Sequence, residues 1–364
     1  MIFVNKKSAS LLLATGVFVG LAFAEDDVKD VSEPNDRSRI QMISQTLSNQ
    51  VPLVIAHRGA SGYLPEHTTQ AAAFAHALGA DFIEQDVVMS QDSIAVVLHD
   101  VTLNATTNVA EVFPKRAVDG KFYAWDFTLA ELKRLKVSER DRTNSSTRFP
   151  AKQGNFRIAT LEEHIQLIVG MNASRQRQAG LYIEIKKPAM HRSHDLDPSR
   201  EVLRLLTKYG YDSAEDRVFV QCFEAAELLR IRTELNCRLP LIQLFSGPVK
   251  EETLVATSKV ADGIGVQISA VLKTSDDGKS SVSELVETAH RHSLLVHAWT
   301  LRTDALPEQF ENTKTLLNKL VRGARVDGIF TDHPDAVLSW RRSALREGAI
   351  RGPFHLLQGR SVDK

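Results

Sequence analysis

The sequence predicts an α/β fold, a (β/α)8 barrel of the TIM type with a segment inserted after a hairpin on its second strand. Three observations carry that expectation. Eight short apolar runs recur along the chain, and stretches of helical periodicity separate most of them. The length, 364 residues, suits one large barrel. Charged residues stand at the carboxyl ends of several runs, where parallel α/β folds gather their chemistry. An open doubly wound sheet fits less well, because no Gly-x-Gly-x-x-Gly follows the first run.

The chain begins with a leader. Lys6 and Lys7 precede an apolar, small-residue run from Ser8 to Phe23, and Ala22-Phe23-Ala24 is a small-x-small cleavage signal before Glu25. Residues 1–24 are expected to be a signal peptide, giving export to the periplasm or beyond and leaving no membrane anchor. A transmembrane anchor is the weaker alternative, since the run is short and ends in a processing site. Residues 25–50 read as a polar lead-in, 51–345 as the barrel and 346–364 as a tail. Acidic and basic residues balance at 45 each, which argues against a nucleic-acid binder held by bulk charge. An anion would have to be recognised locally.

The first stave is Leu53–Ala56, apolar and partly β-branched, as a strand covered on both faces would be. His57 and Arg58 follow it directly. Gly59 and Gly62 allow a sharp turn, and Thr68 can cap a helix over Thr69–Leu78 that stops at Gly79. Phe82–Met89 and Ile94–Leu98 are strands joined by too few residues for a parallel crossover, so they form an antiparallel hairpin. Its fold brings Glu84 and Asp86, which share a face, opposite Leu98 and His99. Residues 101–158 lack alternation and read as the insertion. Thr128/Glu131 and Thr160/Glu163 are capping boxes for helices over Leu129–Lys136 and Leu161–Val169. Six staves follow: Leu181–Ile185, Val218–Cys222, Leu239–Leu244, Gly263–Ile268, Leu294–Trp299 and Gly328–Thr331. Helices over Glu201–Tyr209, Ala225–Leu235, Ser283–His290 and Glu308–Leu320 lie among them. The helix over Ala225–Leu235 should hold Cys222 and Cys237 too far apart for a disulfide, so both are expected as reduced core thiols.

The strand ends supply His57, Arg58, Glu84, Asp86, His99, Glu184, Lys186, His297 and Trp299. Charges in barrel-lining positions are costly unless paired, hydrated or bound to a metal. Three carboxylates, Glu84, Asp86 and Glu184, suit a hard divalent cation, Ca²⁺ or Mg²⁺, and zinc less well because these positions lack a His/Cys set. Arg58 offers a planar fork and Lys186 a point charge to a neighbouring phosphate. Two imidazoles flanking that anion could serve as general base and general acid. Cation, anion clamp and imidazole pair together point to metal-assisted phosphodiester cleavage. Any one of these charged residues is about as often a cap or half of an ion pair as a functional group. It is their conjunction at successive strand ends that a structural role explains poorly. Phe223 and Trp299, also at strand ends, are candidates for the substrate wall. His67, His76, His164, His290, His292 and His333 are expected at the surface or at caps. His191 and His194, in a polar loop, are weaker candidates for lining the cleft. Asn104, Asn144 and Asn172 begin N-glycosylation sequons, to which no role is assigned.

These residues resemble the glycerophosphodiester phosphodiesterases, most closely their exported bacterial branch. The resemblance rests on Ala56-His57-Arg58-Gly59-Ala60-Ser61-Gly62-Tyr63-Leu64-Pro65-Glu66-His67-Thr68, Glu84-Gln85-Asp86, Leu98-His99-Asp100, Glu184-Ile185-Lys186, Gln221-Cys222-Phe223, Val296-His297-Ala298-Trp299-Thr300 and Thr331-Asp332-His333-Pro334-Asp335. It runs from about Val51 to Pro334. It implies a TIM barrel that hydrolyses small-molecule glycerophosphodiesters to sn-glycerol 3-phosphate and an alcohol. It also implies Ca²⁺, or else Mg²⁺, on Glu84, Asp86 and Glu184, an acid/base pair in His57 and His99, phosphate contacts from Arg58 and Lys186, and a supporting role for Glu66. His67 stands where many members carry Asn, and Glu224 where Asp or Asn is frequent. The resemblance leaves open which histidine is the base and whether the glycerol 2-hydroxyl or water attacks. Two rivals keep the barrel: a phospholipase D-like or phosphoinositide-cleaving enzyme, and an exported binding or adhesion protein.

Overall fold

Eight short parallel strands close on themselves, and every site residue is placed by that closure. The computed structural model describes residues 51–140, 148–275 and 278–350. The leader, the lead-in, the end of the tail beyond residue 350 and the Asn144 sequon lie outside the described residues. The strands are β1 (Leu53–Ala56), β2 (Phe82–Met89), β3 (Ala95–Val97), β4 (Gly180–Ile185), β5 (Val218–Cys222), β6 (Leu241–Phe245), β7 (Gly263–Gln267), β8 (Leu295–Leu301) and β9 (Gly328–Thr331). Neighbours pair in parallel from β2 through β4 to β9, and β9 returns to β1 with Leu53 opposite Gly328 and Ala56 opposite Thr331. β1 meets β2 through Ile55–Phe82 and Ala56–Ile83, so the ring is closed and has no free edge.

β3 is the ninth strand and stands outside that count. It pairs antiparallel with the upper part of β2, Val87 opposite Val97 and Met89 opposite Ala95. Leu98 N–H then donates to Asp86 O at 2.9 Å, the juxtaposition the hairpin predicts.

Strand periodicity sorts the barrel interior into layers. Phe82, Glu84 and Asp86 share one face of β2, and Tyr182 and Glu184 share a face of β4, with Lys186 just beyond it. The lower layer is aromatic. Tyr182 stacks on Phe219 at 5.0 Å and meets Phe330 edge-on at 4.9 Å, with Ile55, Ile242 and Leu295 filling the rest. The charged residues sit on top of this dry floor. Each large floor side chain contributes roughly 1.5–3 kcal/mol by burial, which anchors the charged layer above it.

Helix α1 (Thr69–Leu78) is capped by the Thr68 hydroxyl and ends at left-handed Gly79, as expected. The predicted helix over Leu161–Val169 extends as α2 to Arg175, with its Thr160/Glu163 capping box formed. The insertion helix is shorter than predicted. Its Thr128/Glu131 box forms, but the helix covers only Leu129–Leu132. Lys136–Val137 instead forms a ladder with Phe156–Arg157, and Asn108 Oδ1 accepts from Lys136 N–H at 2.8 Å. Cross-strand pairing of the β-branched Val137 outweighs continued helix there. The insertion has its own core of Leu103, Phe122, Phe127, Leu132, Leu135 and Ile158 beneath β3. Only a short helix, Thr313–Leu317, opens within the predicted Glu308–Leu320, and it continues as a wider-wound turn to Gly323. Cys222 and Cys237 are buried free thiols.

Candidate active site

The turn after β1 is built for close approach. Arg58 and Gly59 are both left-handed, and a Cβ on Gly59 would stand 2.7 Å from the Ala71 backbone. A Cβ on Gly62 would strike the His333 ring, and Gly62 N–H donates to Asp332 O at 2.9 Å. These two glycines let the β1 turn lie against both α1 and the loop after β9. Arg58 N–H thereby reaches Glu84 Oε2 at 2.6 Å.

Above the aromatic floor, Glu84, Asp86, Glu184 and Lys186 converge. Lys186 Nζ lies 2.7 Å from Glu184 Oε1 and 3.6 Å from Asp86 Oδ1. Arg58 Nε lies 3.7 Å from Asp86, and Arg58 Nη1 is 2.9 Å from Glu66. Burial, reinforced by Asp86, pushes Glu184 up to about 8. Burial and Asp86 also raise Glu84 well above the carboxylate range. Asp86 is the member that keeps its charge: burial works against it, but Lys186, His99 and His67 hold it well below its ordinary value. The carboxylates therefore outnumber the cations that could neutralise them, and Glu84 and Glu184 are shifted toward their protonated forms.

A divalent cation fits this cluster. Asp86 Oδ1 is buried and accepts no hydrogen bond, and ligand atoms of His67, Glu84 and Asp86 all lie within 4.8 Å of one another. This close group differs from the predicted trio by containing His67. Lys186 draws Glu184 to itself, while His67 Nε2 lies 2.7 Å from Asp86 Oδ2. The oxygen-rich set suits a hard cation.

Two imidazoles flank the cluster, each with a carboxylate on Nδ1. His57 Nδ1 lies 2.7 Å from Asp332 Oδ1, and His99 Nδ1 lies 2.6 Å from Asp100 Oδ1. In both rings this leaves Nε2 free for chemistry. Burial, then Arg58, lowers His57 to about 4, and Asp332 pulls the other way. Asp332 is gripped by Arg148, which also binds Asp304 at 2.8 Å. Burial would raise Asp332, but His57 and Arg148 hold it far below the carboxylate range. His99 lines a cleft of about 720 Å³ with Glu184, Lys186, Phe223, Glu224 and Phe245. Phe223 is exposed at its mouth and meets half-buried Trp299 edge-on at 6.2 Å.

Of the predicted site residues, Arg58, Glu66, Glu84, Asp86, Glu184 and Lys186 thus form one charged cluster, His57 and His99 flank it with carboxylate partners of their own, and Trp299 and Phe223 form an apolar wall beside it. His297 does not join the upper layer. It lies in the floor, with Nδ1 2.7 Å from the Tyr182 hydroxyl. The expectation that six histidines are surface or capping residues fails for three of them. His67, His76 and His164 are buried, because tertiary partners offer their nitrogens bonds that local sequence does not reveal, while His333, also buried, stands at the N-cap of the helix Pro334–Arg346. His164 Nε2 meets the His67 carbonyl at 3.1 Å, and His76 Nε2 meets Asn172 Oδ1 at 3.0 Å. His290 and His292, partly exposed, pair with Asp327 and Glu251. His191 is a buried acceptor for Met89 N–H, and His194 stacks on Trp125 at 4.6 Å, so neither lines the cleft. Sequence reasoning missed Asp332, Arg148, Asp100 and Arg140. Only Asp100 and Asp332, which stand inside the quoted motifs without an assigned role, carried a signal.

Comparison with known proteins agrees with this geometry. A family profile described as "Glycerophosphoryl diester phosphodiesterase family" matches residues 57–336. The chain is 34% identical to a glycerophosphodiester phosphodiesterase of Haemophilus influenzae, over 91% of this chain and 96% of that protein. It is 32% identical to one of Treponema pallidum, over 78% of this chain and 90% of that protein. Its fold is similar to that of an Oleispira antarctica phosphodiesterase solved with the product sn-glycerol-3-phosphate, with a TM-score of 0.58 and 22% identity, covering 80% of this chain and 96% of that one.

Proposed function

Since the chain belongs to the glycerophosphoryl diester phosphodiesterase family, we propose that it hydrolyses glycerophosphodiesters to sn-glycerol 3-phosphate and an alcohol with His57 as general base and His99 as general acid. The observation that carries the division of labour is the unequal setting of the two rings. His57 is backed by Asp332 and depressed to about 4, so at neutral pH its Nε2 is an unprotonated acceptor. His99 stands on the rim of the open cleft, where the alcohol departs.

Glu84 and Asp86 would hold a divalent cation, joined by Glu184 once it turns from Lys186, with His67 orienting Asp86. When bound, that cation supplies positive charge against the glycerol hydroxyl and phosphate oxygens. Calcium suits the site better than magnesium, because carboxylate oxygens from the two neighbouring strands β2 and β4 can fill its larger, more flexible shell. Arg58 and Lys186 grip the phosphate and stabilise charge on its oxygens. His57 Nε2 takes the proton of the attacking oxygen, either the glycerol 2-hydroxyl or water. His99 Nε2 gives a proton to the leaving alkoxide. Phe223 and Trp299 wall the head-group side, and Glu66 keeps Arg58 aimed.

Residues 1–24 support export, and we assign the mature protein to the periplasm, to be checked by the mass of its N-terminus. The test of the chemistry is substrate dependence. His99→Ala should lose roughly 10²-fold in kcat on glycerophosphocholine, yet little on glycerophospho-p-nitrophenol, whose leaving group needs no proton. Equal loss on both would remove His99 from the acid role.

A further inference from the structure

Arg140 lies on the insertion, three residues past Lys136–Val137, which pairs with Phe156–Arg157 within the insertion itself. Its guanidinium joins two parts of the site that the barrel alone leaves separate. Arg140 Nη1 donates to Asp100 Oδ2 at 2.8 Å, and Asp100 Oδ1 is the partner of His99 Nδ1. Arg140 Nη2 donates to Glu66 Oε1 at 2.9 Å, and Glu66 Oε2 accepts from Arg58 Nη1 at 2.9 Å. One planar fork therefore spans His99–Asp100 on one side and Glu66–Arg58 on the other. Removing it would leave Asp100 free to rotate with His99. It would also leave Glu66, buried between two guanidiniums, with Arg58 alone to neutralise it.

We propose that Arg140 is a positioning residue through which the insertion couples the phosphate clamp to the proton donor: it locks the Asp100–His99 pair toward the leaving alcohol and shares Glu66, so that Arg58 keeps donors for phosphate. The inference rests on the reading of His99 as general acid. Arg140 touches no reacting atom, and it acts through Asp100 and Glu66. A lysine cannot replace it fully, because an ammonium lacks the fork that holds two carboxylates in one plane.

The test measures kcat and KM on glycerophosphocholine and on glycerophospho-p-nitrophenol for R140Q, R140K, D100N and H99A. R140Q should lower kcat roughly tenfold on the choline ester and within about twofold on the nitrophenyl ester, while raising KM several-fold on both. D100N should reproduce the kcat loss with KM unchanged, and it asks the same question should R140Q not fold. R140K should restore no more than one of the two parameters. Equal kcat loss on both esters in R140Q, or wild-type kcat in D100N, overturns the inference where H99A still discriminates between the esters. An H99A enzyme that does not discriminate removes the donor reading instead.

Discussion

His57 Nδ1 lies 2.7 Å from Asp332 Oδ1, a contact between residues 275 apart in sequence that ties the end of the first barrel strand to the end of the last. Adjacent staves β1 and β9 make it, so barrel closure itself orients the imidazole. On the proposed reading, the carboxylate accepts the Nδ1 proton and leaves Nε2 to serve as the base. In Asp332→Asn the amide would donate to Nδ1 and force the proton onto Nε2, the wrong tautomer. The expected result is a kcat lower by about 10²-fold or more with KM within roughly twofold, measured by steady-state kinetics.

The buried imidazoles should make stability fall with acidity. Burial holds His57 and His297 to about 4 and His164 to about 3, whereas unfolded histidines titrate near 6.5. Between about pH 6.5 and 4 the unfolded chain binds protons that the folded chain refuses, so stability is lost as pH falls through that window. With calcium saturating, so that the opposing contribution of Glu84 and Glu184 is removed, calorimetry should show Tm dropping from pH 7 to 4.5, and His297→Gln should flatten the drop. A Tm independent of pH over that range would contradict the burial of these rings as neutral groups.

The metal site should show the opposite sign. Glu184 keeps its proton to about 8 and Glu84 is raised likewise, so without a cation the folded state holds protons that the unfolded chain has released. Stability then falls as pH rises from about 4.5 toward 8, and a bound cation removes that loss by replacing the protons. Saturating calcium should therefore raise Tm more at pH 8 than at pH 6, against chelator-treated protein as the reference. An equal or smaller increment at pH 8 would speak against these carboxylates as ligands.

On the proposed reading, His67 would act on a bound cation through its 2.7 Å contact with Asp86. Asn can donate to the same carboxylate oxygen, while Ala cannot. His67→Asn should keep calcium affinity within a few-fold, and His67→Ala should weaken it by roughly 10–100-fold, read by calorimetric titration.

Much of this site is legible in the sequence because strand periodicity is short-range. Two-residue alternation puts Glu84 with Asp86, and a short turn returns the chain to His99 beside them. The eight staves follow from apolar runs of strand length. What sequence does not reveal are contacts made by closure and by the insertion. Arg148 and Arg140 sit in a segment without alternation, and their partners Asp332 and Glu66 are far along the chain. His67 follows a proline and a glutamate and looks like a surface residue. Only its left-handed backbone, with N–H bonded to Arg58 O, turns the ring inward to Asp86.

The most direct measurement is the release of sn-glycerol 3-phosphate from glycerophosphocholine by wild-type and His57→Ala protein, each with saturating calcium and again with excess EDTA. The account predicts turnover by the calcium-loaded wild type alone, with His57→Ala lower by about 10³-fold or more at unchanged circular dichroism. Turnover that survives both the chelator and the loss of His57 would contradict it.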